Sequence, residues 1–205
     1  MKIVVVGTRG IPDIQGGVET HCEELYPRLA AMGHDVTVVR RSCYVTPQNK
    51  IKEYRGVHLK DIYAPRRKSI EAIVHTFLAI IYARWVGADV LHIHAIGPAL
   101  LTPLARLLGL RVVMTHHGPD YDRQKWNKTA KSVLRWGERM GANYANEVIV
   151  ISTVIDNILR EKYDRTDAHL IHNGVNKPVP AKDDSYIRSL GLTPRRYVLA
   201  VGRFV

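Results

Sequence analysis

A doubly wound α/β fold, a mainly parallel sheet with helices on both faces, is what the sequence predicts, and three observations predict it. Short runs rich in Val and Ile recur along the chain. Most are nearly continuously apolar instead of alternating, as strands covered on both faces require. Helical patterns lie between them.

The first run, KIVVVG at 2–7, stops on a glycine and leads into a helical pattern at about 17–33, closed by Gly33 where a helix C-terminus favours glycine. DVTVVR at 35–40 is the second strand. From 41 to 67 the rhythm breaks, and EYRGVHLKDIY suggests a hairpin-like excursion or an extra strand near 57–62. A helix at 69–86 then precedes the strand DVLHIH at 89–94. Another at 98–108, with Gly109 as its cap, precedes RVVMTH at 111–116. The remaining alternation is a helix at 121–143, the strand EVIVIS at 147–152, a helix at 153–163 and the strand AHLIH at 168–172. After Asn173 and Gly174 the segment VNKPVPAKDDS has two prolines and several charges, which is linker chemistry. A short helix at about 183–190 and an apolar strand YVLAVG at 197–202 follow. The expected division is a first domain over 1–176, a linker with a short helix over 177–196, and the opening strand of a second domain over 197–205.

Composition excludes several classes. The 205 residues are 46% hydrophobic and 24% charged, which is neither disordered nor collagen-like. Two cysteines, Cys22 and Cys43, match no metal spacing and suit a reducing compartment without a structural disulfide. The apolar run Ile3–Val6 is too short for a signal-peptide core, so secretion is not expected. The longest apolar stretch, 72–83, contains His75 and is shorter than the ~20 residues of a spanning helix. A formal charge of +11 points to an anionic partner: nucleic acid, an anionic membrane or a phosphorylated small molecule.

Three groups of residues carry candidate chemistry. The loop after the first strand, GTRGIPDIQGGVE, places Gly16 and Gly17 just before a helix, where unpaired N–H groups attract phosphate. It matches neither GxGxxG nor a Walker A loop, and its glycines can also be read as serving a tight turn alone. Histidines form the second group: His92 and His94 share one face of their strand, and His94, His116 and His117 fall at carboxyl ends of successive strands. His92 reads as a hydrogen-bonded core histidine. For His117, followed by Gly118 and Asp120, a binding or acid/base role and a merely structural one are equally open, and no zinc spacing supports a metal site. The third group is the helix at 121–143. Lys125, Lys128, Lys131, Arg135 and Arg139 fall within a sector of about 120°, opposite Trp126, Ala130, Val133, Leu134, Trp136 and Met140. A solvated polar face, an attraction to anionic lipid or to a phosphate-bearing acceptor, and nucleic-acid binding are all open for this helix, and Arg66, Arg67 and Lys68 make a second candidate for a membrane surface. Zinc-knuckle, base-stacking and helix-turn-helix signatures of nucleic-acid binding do not occur.

Taken together, GTRGIPDIQGGVETHCEELYPRLAAMGHDVTVV, DVLHIH, THHGPDYDR with its KW helix, EVIVIS, HLIHNGVN and YVLAVGRF resemble retaining glycosyltransferases of family four. The similarity is nearest to the bacterial rhamnosyltransferase-like branch that builds surface polysaccharides. The resemblance implies the N-terminal, acceptor-side half of a GT-B enzyme, a pair of Rossmann-like domains. Gly16, Gly17 and Arg203 would face the donor diphosphate; His117 would lie at the transferred sugar as the catalytic histidine; Asp120, Arg123 and His94 would meet the acceptor. Asn173 and Gly174 match the turn closing the first domain, and Gly202 the opening of the second. The partners implied are a nucleotide diphosphate sugar, a lipid-linked or saccharide acceptor and an anionic membrane surface. Neither a metal, another cofactor nor nucleic acid is expected. The implied place is the cytoplasm, at the inner face of the membrane, and the implied reaction is transfer of a hexose-type sugar to a hydroxyl with retention. The paired glutamates and lysine with which the family grips its donor belong to the second domain, so the chain alone is expected to be inactive. Two other readings remain: a sugar-nucleotide epimerase or phosphorylase of the same architecture, and a basic nucleic-acid-binding module.

Overall fold

The computed structural model describes residues 1–67, 70–124, 126–177, 179, 183–193 and 195–200. The chain divides into two compact units, Met1–Asn173 and Gly174–Val205.

The first unit is built on one eight-stranded sheet, and its elements run in chain order as β1 (Lys2–Val6), α1 (Gly17–Ala31), β2 (Asp35–Arg41), β3 (Glu53–Tyr54), β4 (Val57–Ile62), α2 (Glu71–Trp85), β5 (Val90–His94), α3 (Ile96–Ala99), α4 (Thr102–Leu107), β6 (Val112–His116), α5 (Lys128–Tyr144), β7 (Glu147–Val150), α6 (Thr153–Tyr163) and β8 (His169–Leu170). The strand order is β3-β4-β2-β1-β5-β6-β7-β8, with every ladder parallel except β3–β4. The excursion foreseen near 57–62 is the short β3–β4 hairpin. Its two turn residues, Arg55 and Gly56, both have positive φ (48° and 81°), as a tight two-residue hairpin turn demands.

Two apolar clusters, one on each face of the sheet, form the core. One joins Val4, Val6, Leu91, Ile93, Val112 and Met114 to α2 through α6; the other joins Ile3, Val5, Val36 and Val38 to Cys22 and Tyr26 of α1. The alternating allegiance of Ile3, Val4, Val5 and Val6 is why this strand reads as uniformly apolar. Helix caps fall where expected: Gly33 and Gly109 have φ of 89° and 80° and follow the last turns of α1 and α4.

Several boundaries differ from the sequence reading. The helix expected at 98–108 is two, α3 and α4, because Pro103 has no N–H to continue the ladder and opens α4 instead. The helix expected from 121 begins at Lys128, where the Asn127 side chain accepts from the Ala130 N–H (2.9 Å), and Asp120–Asp122 form a separate 3₁₀ turn. Nor is Trp136 on the core side of α5: it is 61% exposed, and the inward face is Gly137, Glu138, Gly141 and Ala142. Backbone contact with α3 sets that face, since a Cβ on Gly137 would lie 1.9 Å from the Ile96 carbonyl oxygen. The strand expected at 168–172 pairs only over His169–Leu170. In the second unit α7 spans Ser185–Ser189. The strand expected at 197–202 is not formed over 197–200, where no neighbouring segment among the described residues offers a ladder, and 201–205 lies outside the described residues.

Both cysteines are free, Cys22 in the core. Among the described residues no helix is long and apolar enough to cross a membrane.

Candidate functional site

The chain runs outward from β1 to β2 and β4, then returns to place β5 on the other side of β1. The carboxyl ends of β1 and β5 are thus the point where strand order reverses, and an open α/β sheet leaves its ligand crevice there. Gly7 ends β1 at φ 98°, and a Cβ on it would stand 2.2 Å from the His94 carbonyl oxygen, so only glycine lets the two strand ends approach.

The loop from Gly7 to Gly16 is tied down from several sides. Glu19, 7% exposed in the first turn of α1, accepts from the Arg9 N–H (3.0 Å) and the Thr8 hydroxyl (3.4 Å). Arg9 reaches the Gln15 carbonyl (3.0 Å). Arg41, paired with Glu71 at 2.7 Å, donates to the Gly7 carbonyl (3.0 Å). Gly16 has φ 157°, and a Cβ there would collide with Glu19 Oε2 at 1.9 Å; Gly17 has open space where its Cβ would be. No side chain caps α1 at this end, which leaves first-turn N–H groups for a ligand or water. The requirement for glycine is therefore structural at Gly16, whereas no packing demands it at Gly17.

Beside this loop lies a file of imidazoles. His92 and His94, alternate residues of β5, stack with ring centroids 4.3 Å apart, and His94 stacks on His117 at 5.1 Å. His92 Nε2 meets Thr115 Oγ1 (2.7 Å), its Nδ1 meets the Tyr26 hydroxyl (2.9 Å), and the same hydroxyl bonds His94 Nε2. His94 Nδ1 meets His117 Nε2 at 2.8 Å. His21, from the second turn of α1, stands edge-on to His94 and His117. Burial, with mutual repulsion adding to it, lowers His92 to about 3 and His117 to about 4. His94 is held well below its ordinary value for the same reasons, and burial lowers His21. These rings are neutral at pH 7.

On the other side of β6, His116 Nε2 meets Glu138 Oε1 at 2.8 Å, both side chains fully buried. The Gly118 N–H donates to His116 Nδ1 (3.1 Å), so the proton of this histidine is on Nε2 and goes to the carboxylate. Glu138 also accepts from Tyr163 (2.7 Å) and Tyr121 (3.1 Å), and Lys162 donates to the Tyr121 hydroxyl (3.0 Å). Burial alone pushes the Glu138 carboxyl up, but the hydrogen bonds from His116, Tyr163 and Tyr121 outweigh it and hold it below its usual range. This hub anchors the turn that carries His117.

The structure thus brings together Gly16, Gly17, His94 and His117 at one sheet edge. Asp120 and Arg123 pair with each other at 2.9 Å just after it. Asn173 is the last residue of the first unit, and Gly174 opens the second. Gly202 and Arg203 lie outside the described residues. Sequence reasoning did not find His21, Tyr26, Tyr121, Glu138 or Tyr163. The available signal was Glu138 itself, a carboxylate between Gly137 and Gly141 on the inward stripe of α5. Among the described residues no group of three or more His, Cys, Asp or Glu is arranged to hold a metal ion.

Comparisons with known proteins bear on the fold and the family. The chain is 27% identical over 219 aligned residues, covering 99% of it, to α-maltose-1-phosphate synthase of Mycobacterium tuberculosis, and it spans 54% of that protein. Its structure is similar to sucrose-phosphate synthase of Thermosynechococcus elongatus (TM-score 0.72, 20% identity, covering 94% of this chain and 53% of that one). It also resembles the Anabaena protein HepE, solved with UDP and glucose (TM-score 0.63, 14% identity, covering 92% of this chain and 49% of that one). These likenesses show the fold of GT-B glycosyltransferases, and the chain spans about half the length of the curated relatives it matches. A family model, Glycosyltransferase Family 4, matches residues 15–177, from the Gly16–Gly17 loop to just past the end of the first unit, and the chain belongs to that family.

Proposed function

We propose that the chain is the acceptor-side half of an enzyme that transfers a hexose-type sugar from a nucleotide diphosphate donor to an acceptor hydroxyl, with retention at the anomeric carbon. One observation carries the reading: the uncapped start of α1 at Gly17 and the His117 ring both lie at the carboxyl edge of a family 4 sheet, where His21 of α1 stands edge-on to His117 beside the topological switch point. The donor bond to the diphosphate breaks, the acceptor oxygen bonds the anomeric carbon, and the acceptor proton leaves with the phosphate. Negative charge then develops on the diphosphate, where first-turn amides of α1 are suited to receive it. In this reading Arg203 adds a cation from the second domain, and Asp120 and Arg123 border the acceptor. His117, neutral, contacts the sugar.

The assignment to surface-polysaccharide synthesis at the inner face of the cytoplasmic membrane belongs to the same proposal. Its support is α5, where Lys128, Arg135 and Arg139 are exposed and Trp136 stands out into solvent. Salt-reversible sedimentation with anionic liposomes is expected, and no binding at low salt removes the membrane part.

The central test is an assay of the full-length protein with a panel of nucleotide sugars and lipid-pyrophosphate or saccharide acceptors, alongside direct donor binding. Replacing His117 by Ala should cut kcat by at least about a hundredfold, the scale of one lost transition-state contact, while donor affinity changes little. Near-normal turnover in that variant would sink the role given to His117. Turnover of the sugar nucleotide without an acceptor would favour epimerase chemistry instead.

A further inference from the structure

The file behind His117 has a direction. Its links are Thr115 Oγ1 to His92 Nε2 (2.7 Å), His92 Nδ1 to the Tyr26 hydroxyl (2.9 Å), that hydroxyl to His94 Nε2, and His94 Nδ1 to His117 Nε2 (2.8 Å). Each neutral imidazole carries one N–H and one bare nitrogen, and the Tyr26 hydroxyl has one proton to give. A hydroxyl can also accept two bonds, so three arrangements satisfy all four links: in one, Tyr26 accepts from both His92 and His94 and its own buried proton is left without a partner, and the other two run one way along the file.

In the first of those two, Thr115 donates to His92, His92 to Tyr26, Tyr26 to His94, and His94 to His117. Every proton in the file is used, and His117 keeps its own on Nδ1. In the second, all links reverse: His117 donates back through Nε2, leaving Nδ1 bare, and Thr115 receives from His92. The Thr115 hydroxyl, 2% exposed, then needs a different acceptor, and its one side-chain hydrogen bond among the described residues is the link to His92. A buried hydroxyl proton left unpaired costs about 1–3 kcal/mol.

We infer that the file is polarised toward the crevice, so that Thr115, His92, Tyr26 and His94 are positioning residues that hold His117 as the Nδ1–H tautomer, a hydrogen-bond donor and not a base. The ligand atom it meets is then an acceptor oxygen, such as a sugar hydroxyl or ring oxygen, and the acceptor proton in the transfer does not go to His117. This deepens the proposed function and rests on it for the identity of the ligand. The tautomer itself does not.

The test separates the two. Nitrogen-15 NMR of the imidazoles in the chain at pH 7 should find the proton on Nδ1 in His92, His94 and His117 alike. A wild-type chain with His117 protonated on Nε2, or with the three rings differing, overturns the inference without need of any variant. Thr115→Val, which keeps the shape and removes the terminal donor, should turn the His117 signal into a mixture of tautomers, and Thr115→Ser should restore it. An unchanged signal in Thr115→Val also overturns it. In the transfer assay the same Val variant should lose about threefold to tenfold in kcat with donor KM unchanged, and Ser should recover it. If the tautomers are as stated and no sugar nucleotide supports transfer, the functional reading fails while the polarised file stands.

Discussion

At the scale of single residues, neighbouring glycines separate a folding role from a ligand role. Gly16→Ala places a methyl against Glu19 at a φ that side chains avoid, and should destabilise the chain by about 1–3 kcal/mol, seen as a lowered denaturation midpoint. Gly17→Ala meets nothing, so the fold should keep or slightly gain stability. If a diphosphate approaches the start of α1, that same methyl should weaken nucleotide-sugar binding of the full-length protein about tenfold or more. Unchanged affinity would leave Gly17 with no ligand role. The sequence showed Gly16, Gly17, His94 and His117 because glycine before a helix and histidine at a strand end are local signals. Tyr26 and His21 left none: each is one residue of an ordinary amphipathic helix until α1 packs on the sheet and sets their hydroxyl and ring beside β5. Glu138 likewise acquires its meaning only when α5 and α6 bring it His116 and Tyr163.

At the scale of elements, α3 against α5 is the contact where the sequence reading and the structure part. Periodicity assigned the bulky Trp136 to the core because apolar size is what a helical pattern weighs. The actual contact runs through Gly137 and Gly141, which admit the Ile96 carbonyl and the Ala99 methyl group so closely that small size, not hydrophobicity, is selected. The strands were legible because burial on both faces of β1, β2, β5 and β6 leaves nearly unbroken apolar runs. The split of α3 from α4 was written in Pro103 but masked by the apolar residues around it. Gly137→Ala should therefore cost about 1–3 kcal/mol or more, because the obstacle is backbone and cannot swing away. Trp136→Ala, on the exposed side, should cost far less. Urea midpoints of the two variants decide it, and a Gly137→Ala midpoint equal to wild type would refute the close contact.

At the scale of the whole molecule, the buried histidines make the fold acid-labile. His75 is fully buried, lowered to about 4 by burial first and Arg41 second, against a smaller opposing contact with the Arg40 backbone; His92 falls to about 3, and His94 lies well below its ordinary value. In the unfolded chain all three titrate near 6.5. Between that pH and their folded values the unfolded chain binds more protons than the folded one, so stability is complete above about pH 6.5 and falls as pH drops toward 4. Each group contributes at most about 1.4 kcal/mol per pH unit. The chain also carries +11 at neutral pH and becomes more positive in acid, and that self-repulsion acts in the same direction. Salt distinguishes the causes, because it screens surface repulsion but not the desolvation of a buried ring. The melting temperature should fall between pH 7 and pH 5 and should still fall in about 0.5 M salt. His75→Leu removes a buried titrating group that has no side-chain hydrogen-bond partner among the described residues, so it should flatten the dependence of melting temperature on pH over that interval without lowering stability at pH 5. A slope unchanged in His75→Leu would remove His75 as a cause and leave His92 and His94, whereas a slope abolished by salt in the wild type would assign the acid lability to net charge and not to the buried imidazoles.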